Sequence, residues 1–113
     1  MVAVVSCLGV LGCESEPERP TKLRQFHGLT ENIVVAKLGE PKSTLTFPMG
    51  KGQPEFRVEL HRFYPPSNPA NHKVLIKELR WRDGDYHMAV WFHKVDGKWV
   101  ALDSVKWHKS IVF

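Results

Sequence analysis

From residue 73 onward the apolar positions recur with a two-residue period, broken by two short turn signals. Residues 73–107 read KVLIKELRWRDGDYHMAVWFHKVDGKWVALDSVKW. Alternation rich in Val, Trp and Phe predicts strands. Asp83-Gly84 and Asp96-Gly97 supply the breaks, because a type I′ hairpin turn needs positive φ at both central residues, which Asp tolerates and Gly adopts freely. The segment therefore predicts three antiparallel strands. In the strand predicted over 86–95, one face carries Tyr86, Met88, Val90 and Phe92 and the other His87, Ala89, Trp91 and His93. Over 98–107 the faces are Trp99, Ala101, Asp103, Val105, Trp107 and Val100, Leu102, Ser104, Lys106. Large apolar groups fall on both sides, so neither face is simply solvated. With a helix over one face, the other is expected to expose an aromatic strip, and contiguous exposed apolar area marks interaction sites.

Upstream, Thr30 fits a helix N-cap, Glu31 places negative charge in the first turn, and Ile33, Val34 and Leu38 form a stripe at helical spacing. Gly39 suits the C′ position and Pro41 blocks continuation. A helix this short and rich in β-branched residues must be held by packing on the sheet. Residues 42–47, KSTLTF, predict a short strand ended by Pro48, and 56–64, FRVELHRFY, alternate well enough to predict a half-buried strand. Pro65, Pro66 and Pro69 then keep the next stretch out of any ladder. The tail 110–113, SIVF, leaves two courses open, a last short pairing or a fold back onto the core. The fold class that follows is α+β, a short N-terminal helix packed on a four- to five-stranded antiparallel meander.

The first thirteen residues, MVAVVSCLGVLGC, are apolar and uncharged, and the polar ESEPERPTK follows at once. The run is too short to span a bilayer, which takes about 20 residues, but has the length of a signal-peptide apolar region. Val10-Leu11-Gly12-Cys13 resembles the bacterial lipobox, which implies cleavage before Cys13 and acylation of that residue. Each buried acyl CH₂ would contribute about 0.8 kcal/mol to membrane attachment. The other reading is a buried N-terminal strand in which Cys13 is a plain small residue. The expected organisation is a lipoprotein signal peptide over 1–12, a solvated tether over 13–22 and an α+β domain over 23–113.

Residues 28–41, GLTENIVVAKLGEP, resemble the helix motif of the BamE/SmpA-type small outer-membrane lipoproteins, with Gly28, Leu29 and Thr30 opening the helix, Val34 matching within it, and Leu38, Gly39 and Pro41 closing it. The turn at Val95-Asp96-Gly97-Lys98 is similar to one near the end of those domains. The resemblance implies a helix followed by an antiparallel sheet, a bacterial envelope location, and a scaffold or accessory role without enzymatic activity.

Composition narrows the chemistry. The chain is ordinary for a globular protein, with 42% hydrophobic and 25% charged residues. Its net charge of +4 is dispersed among acidic residues, with no basic stripe of the kind that binds nucleic acid. Both cysteines, Cys7 and Cys13, precede the expected domain, which excludes a disulfide framework or cysteine zinc site within it. Six histidines invite a metal reading, but His87 and His93 are separated by roughly 20 Å along one strand, and a cross-strand pair such as His61 with His87 lacks a third ligand. Glu59, Glu78, Asp85 and Asp103 alternate with Arg57, Lys77, Arg80 and Lys106, a pattern of cross-strand ion pairs rather than paired catalytic carboxylates. No phosphate loop or nucleophile elbow occurs, and the sequence points to no cofactor and no enzymatic site. Trp81, Trp91, Trp99 and Trp107 are the candidate binding residues, either as a platform for a peptide, glycan or lipid headgroup or as core filling. The expected function is a membrane-anchored envelope protein that binds a protein partner through the aromatic face or the 65–71 loop. A small-ligand or lipid module with a pocket between helix and sheet is the alternative.

Overall fold

The computed structural model describes residues 19–113. Cys13, Cys7 and the expected signal peptide lie outside the described residues. The fold is α+β: helix α1 (Glu31–Leu38) precedes an antiparallel sheet of β1 (Ser43–Pro48), β2 (Leu75–Asp83), β3 (Tyr86–Val95) and β4 (Lys98–His108), in the order β1-β2-β3-β4. Short 3₁₀ segments at Arg24–Phe26, Glu55–Arg62 and Pro69–Lys73 fill the connections. Among the described residues no helix is long and apolar enough to cross a membrane.

Asp96-Gly97 forms the expected turn, with both residues at positive φ, 52° and 80°, between the paired Val95 and Lys98. The other turn is shifted by one residue. Asp83 pairs with Tyr86, so the central residues are Gly84 and Asp85, and Gly84 alone takes positive φ. Gly in first position is the type II′ solution, which the flanking aspartates serve as well as the expected I′.

Helix α1 spans the expected residues and ends at Gly39, whose φ of 88° is in the region glycine tolerates. Thr30 occupies the N-cap position but its side chain makes no capping bond. Its segment is fastened by backbone instead: Gly28 N–H donates to Ala101 O and Ala101 N–H to Leu29 O, both at 2.8 Å. Val34 is the buried residue of the helix, whereas Ile33 is 44% exposed.

One expected strand does not form. Residues 56–64 are mostly a 3₁₀ arm, Glu55–Arg62, rather than a strand. Phe56, Val58 and Leu60 satisfy a two-residue period, but Phe56 and Leu60 also satisfy a helical one. In the arm those two pack down on the sheet while Val58 turns outward, 46% exposed.

The sheet thus has a layer on each side. Leu23, Phe26 and Val34 cover Leu79, Trp81, Met88, Val90, Phe92 and Ala101 on one face. On the other, Met49 and Leu60 cover Ile76, Ala89, Trp91, Val105 and Trp107, with Phe56 and Tyr64 at the margin. The tail takes the fold-back course, with Phe113 set edge-on to Phe56 and Trp107.

β4 carries a bulge that alternation does not show. Asp103 pairs with Trp91 and Ala101 with Phe92, leaving Leu102 as the extra residue. The side chains expected on one face therefore divide: Trp99 and Ala101 lie on the helix side, while Asp103, Val105 and Trp107 lie on the arm side.

The outer edge of β4 is covered. Thr21 N–H donates to Lys106 O at 2.8 Å and Lys106 N–H to Thr21 O at 2.7 Å. Thr21 and Lys22, expected in a solvated tether, thus belong to the fold.

Candidate functional site

The four tryptophans form no common platform. Trp81 is buried under the helix, and its Nε1–H donates to Gly39 O at 2.8 Å. Trp91 is buried on the opposite face with its Nε1–H donating to Glu78 Oε1 at 2.7 Å. Trp107 is buried on that same face, its ring stacked on His87 at 5.3 Å. Trp99 is half-buried on the helix side, with the ammonium groups of Lys94 and Lys77 at 5.1 and 5.7 Å from its ring centroid. The continuous exposed strip is therefore absent: the arm Glu55–Arg62, misread as a strand, is what covers Trp91 and Trp107.

The helix–sheet interface is packed with Val34, Phe92 and Ala101. A shallow depression of about 290 Å³ lies at its end, between the helix start at Glu31 and the turn at Gly97, with Trp99 in its wall. The more apolar cleft lies on the other face, between the arm and the sheet, with a volume of about 280 Å³. Its walls are Phe56 and Val58 of the arm, Trp91 and Val105 of the sheet, and Phe113 of the tail. That volume is at the lower limit of small-molecule pockets, about 300 Å³.

One end of the cleft is ionic. Lys22 Nζ donates to both Asp103 oxygens, at 2.9 and 3.1 Å, and sits 2.7 Å from Glu59 Oε1. Hydrogen bonding and charge attraction from Lys22 hold the Glu59 carboxyl below its ordinary pKa. Asp103 is buried and also accepts from the Ser104 N–H. The bulge at Leu102 is what turns this carboxylate to the cleft side.

Beneath the arm, the buried Glu78 accepts from Arg57 Nε at 2.7 Å, Arg80 Nε at 2.8 Å and Trp91 Nε1. Burial acts to raise its pKa, but the three donors outweigh it and the carboxyl titrates below the ordinary range. The guanidiniums also cap aromatic rings, Arg80 over Phe56 and Arg57 over Phe47. The expected cross-strand pairing does not form at Glu78, which is matched by Arg80 of its own strand and by Arg57 of the arm, while Asp103 and Glu59 are matched by Lys22 from the N-terminal segment, which strand spacing cannot show.

His27 Nε2 lies 2.7 Å from Ser104 Oγ, with Asp103 at 4.0 Å. Ser104 is fully buried, and its hydroxyl also accepts the Leu23 N–H at 2.8 Å. Burial is the main reason His27 titrates below the usual imidazole value; Lys22 and Arg24 add to it and Asp103 opposes it. Ser104 Oγ is shared by the His27 ring and the Leu23 N–H, so this constellation clips the N-terminal segment to β4, and the buried hydroxyl faces no solvent. Tyr64 Oη and His93 Nδ1 share a hydrogen bond of 2.6 Å; burial lowers the His93 pKa and raises that of Tyr64. His61 joins neither His87 nor His93; its Nδ1 reaches Tyr64 O at 3.3 Å. Among the described residues no group of three or more His, Cys, Asp or Glu side chains is placed to hold a metal ion.

No family model, curated protein or solved structure matches the chain.

Proposed function

We propose that this chain is a non-enzymatic bacterial envelope lipoprotein, anchored through acylated Cys13, that docks a protein partner by seating one of its apolar side chains in the arm–sheet cleft. The observation that carries the docking role is the cleft itself, an apolar recess with a half-exposed rim at Val58 and Phe113. A buried apolar anchor in such a recess is the usual centre of a binding interface. The BamE/SmpA-like helix motif and the lipobox-like Val10–Cys13 support the envelope location. A second reading, an apolar small ligand in the same cleft, is favoured by the apolar walls at Phe56, Trp91, Val105 and Phe113.

Two experiments test the proposal. Cys13→Ser is expected to move the protein from the membrane fraction to the soluble one; a variant that stays membrane-bound and unprocessed refutes the anchor. A photo-crosslinking residue at position 58, introduced into the full chain in intact cells, is expected to give a discrete protein adduct that is lost when Phe113 is changed to Asp. Labelling of a small molecule instead establishes the second reading, and no adduct of either kind removes the cleft from consideration.

A further inference from the structure

The sheet has two edges, and among the described residues only one is covered. The N-terminal segment pairs along β4 through Thr21 and Thr30, while β1 pairs with β2 on one side and with nothing described on the other. Its residues are exposed except for Phe47. Natural sheets protect free edges with Lys, Pro, bulges or covering loops. Ser43–Pro48, STLTFP, has no charged residue in a chain that is one-quarter charged, and its only such device is Pro48 at its end.

Register decides what that edge offers. In an antiparallel ladder alternate residues turn their N–H and C=O toward the same neighbour. Met49 N–H donates to Val74 O just beyond the strand, so the odd residues 47, 45 and 43 face β2 and Thr44, Thr46 and Pro48 face outward. Pro48, which has no N–H, falls on the outward phase, where it costs the ladder nothing. Its carbonyl is occupied by Gln53 Nε2 at 3.3 Å. Among the described residues nothing pairs with the outward backbone groups of Thr44 and Thr46, which present both N–H and C=O.

We propose that β1 is a homodimerisation edge, with two copies of this chain pairing Ser43–Pro48 antiparallel about a two-fold axis beside Leu45. Thr44 then stands opposite the partner's Thr46, and each such pair exchanges two N–H···O bonds. Leu45 meets the partner's Leu45 across the axis in a non-hydrogen-bonded pair, where side chains approach most closely. Leu45 is 48% exposed and would be shielded by its own copy. Pairing ends where Pro48 reaches the partner's Lys42. The occupant is a second copy because the edge is self-complementary: hydroxyl faces hydroxyl, leucine faces leucine, and no like charges are opposed. The interface is small, so the association is weak. It involves neither the cleft nor Cys13 and stands or falls independently of the docking role.

The test uses the full chain in mild detergent. Sedimentation over a concentration series should show a monomer–dimer equilibrium, and Leu45→Lys, which opposes two ammonium groups at the axis, should weaken it at least about tenfold without changing the circular dichroism spectrum. With Cys7 and Cys13 replaced by Ser, Leu45→Cys should link to itself under mild oxidation, because the facing residues fall within disulfide reach. Ser43→Cys should not, since its two copies are offset by four residues, roughly 14 Å. Leu45→Cys linking no faster than Ser43→Cys overturns the proposal, as does a dimer indifferent to Leu45→Lys or a wild-type chain that stays monomeric at every concentration.

Discussion

Arg57 Nε lies 2.7 Å from Glu78 Oε1, and this contact fastens the 3₁₀ arm to the middle of the sheet. Glu78 is buried while Arg57 retains partial exposure, and the Trp91 indole shares the same carboxylate. Removing one partner of a buried, hydrogen-bonded pair leaves the others uncompensated, at a cost of about 3–5 kcal/mol. Glu78→Ala is expected near the lower end of that range in urea unfolding, because Arg80 and Arg57 can turn toward solvent. Glu78→Gln should cost less, since its amide oxygen still accepts from Trp91. Equal losses for the two would show that charge alone, not the indole bond, fixes the arm.

The pH dependence follows from groups of two kinds. His27 and His93 are held neutral in the fold, chiefly by burial, whereas in the unfolded chain they protonate near 6.5. Between that value and the lower folded one the unfolded state binds more protons, so stability falls as pH drops. Glu78 and Glu59 have folded pKa values below 4.5; the stability they contribute is present above 4.5 and is lost as pH falls through the folded values. The thermal midpoint should therefore decline from neutrality downward, first through the histidines and then through the glutamates. His93→Gln, which keeps a hydrogen-bonding side chain beside Tyr64, should flatten the upper limb. A midpoint that rises between about pH 7 and about pH 5.5 would contradict the neutral-histidine assignment.

Gly97 holds the β3–β4 turn at φ 80°, and beyond its chain neighbours no atom lies within 4 Å of where a Cβ would sit. Any penalty at this position is thus conformational rather than steric. Gly97→Val is expected to destabilise the domain by at least about 1 kcal/mol, and Gly97→Asn by less, because Asn tolerates the left-handed region. Urea midpoints of the two variants check the ordering.

Much of this fold is legible in residue spacing, and what is not has identifiable physical causes. Thr30, Gly39 and Pro41 mark the helix ends, and Asp96-Gly97 marks one hairpin, because these depend on local backbone geometry. Residues 56–64 read as a strand because Phe56 and Leu60 fit two periods at once. That single ambiguity propagates: as an arm rather than a strand, the segment buries Trp91 and Trp107 and creates the cleft in place of an exposed strip. The Leu102 bulge carries no signal in the alternation, yet it sends Asp103 to the cleft and Ala101 to the helix side. Lys22 as the partner of Asp103 was equally hidden, 81 residues away in sequence. The unprotected, uncharged stretch at Ser43–Pro48 could have been noticed, since a strand lacking charge ahead of a proline is readable without coordinates.

Helix α1 offers the sharpest test of how the layers depend on one another. An isolated helix of eight residues is marginal in water, and this one is held at its ends by the Trp81–Gly39 bond and the Glu31–Lys77 ion pair, with Nζ and Oε2 at 2.8 Å. Between those ends Val34 is completely buried against the sheet, while its neighbour Ile33 is 44% exposed. Val34→Ala removes two methyl groups and leaves a void beside Phe92, at a cost of about 2 kcal/mol. Ile33→Ala removes more atoms but mostly from solvent, and alanine's better helix propensity offsets much of the loss. Denaturation midpoints should therefore fall for Val34→Ala and barely move for Ile33→Ala, and amide exchange over residues 31–38 should accelerate only in the first. The reverse ordering would mean that the helix sits on its other face and that the layer covering Trp81 is wrongly placed.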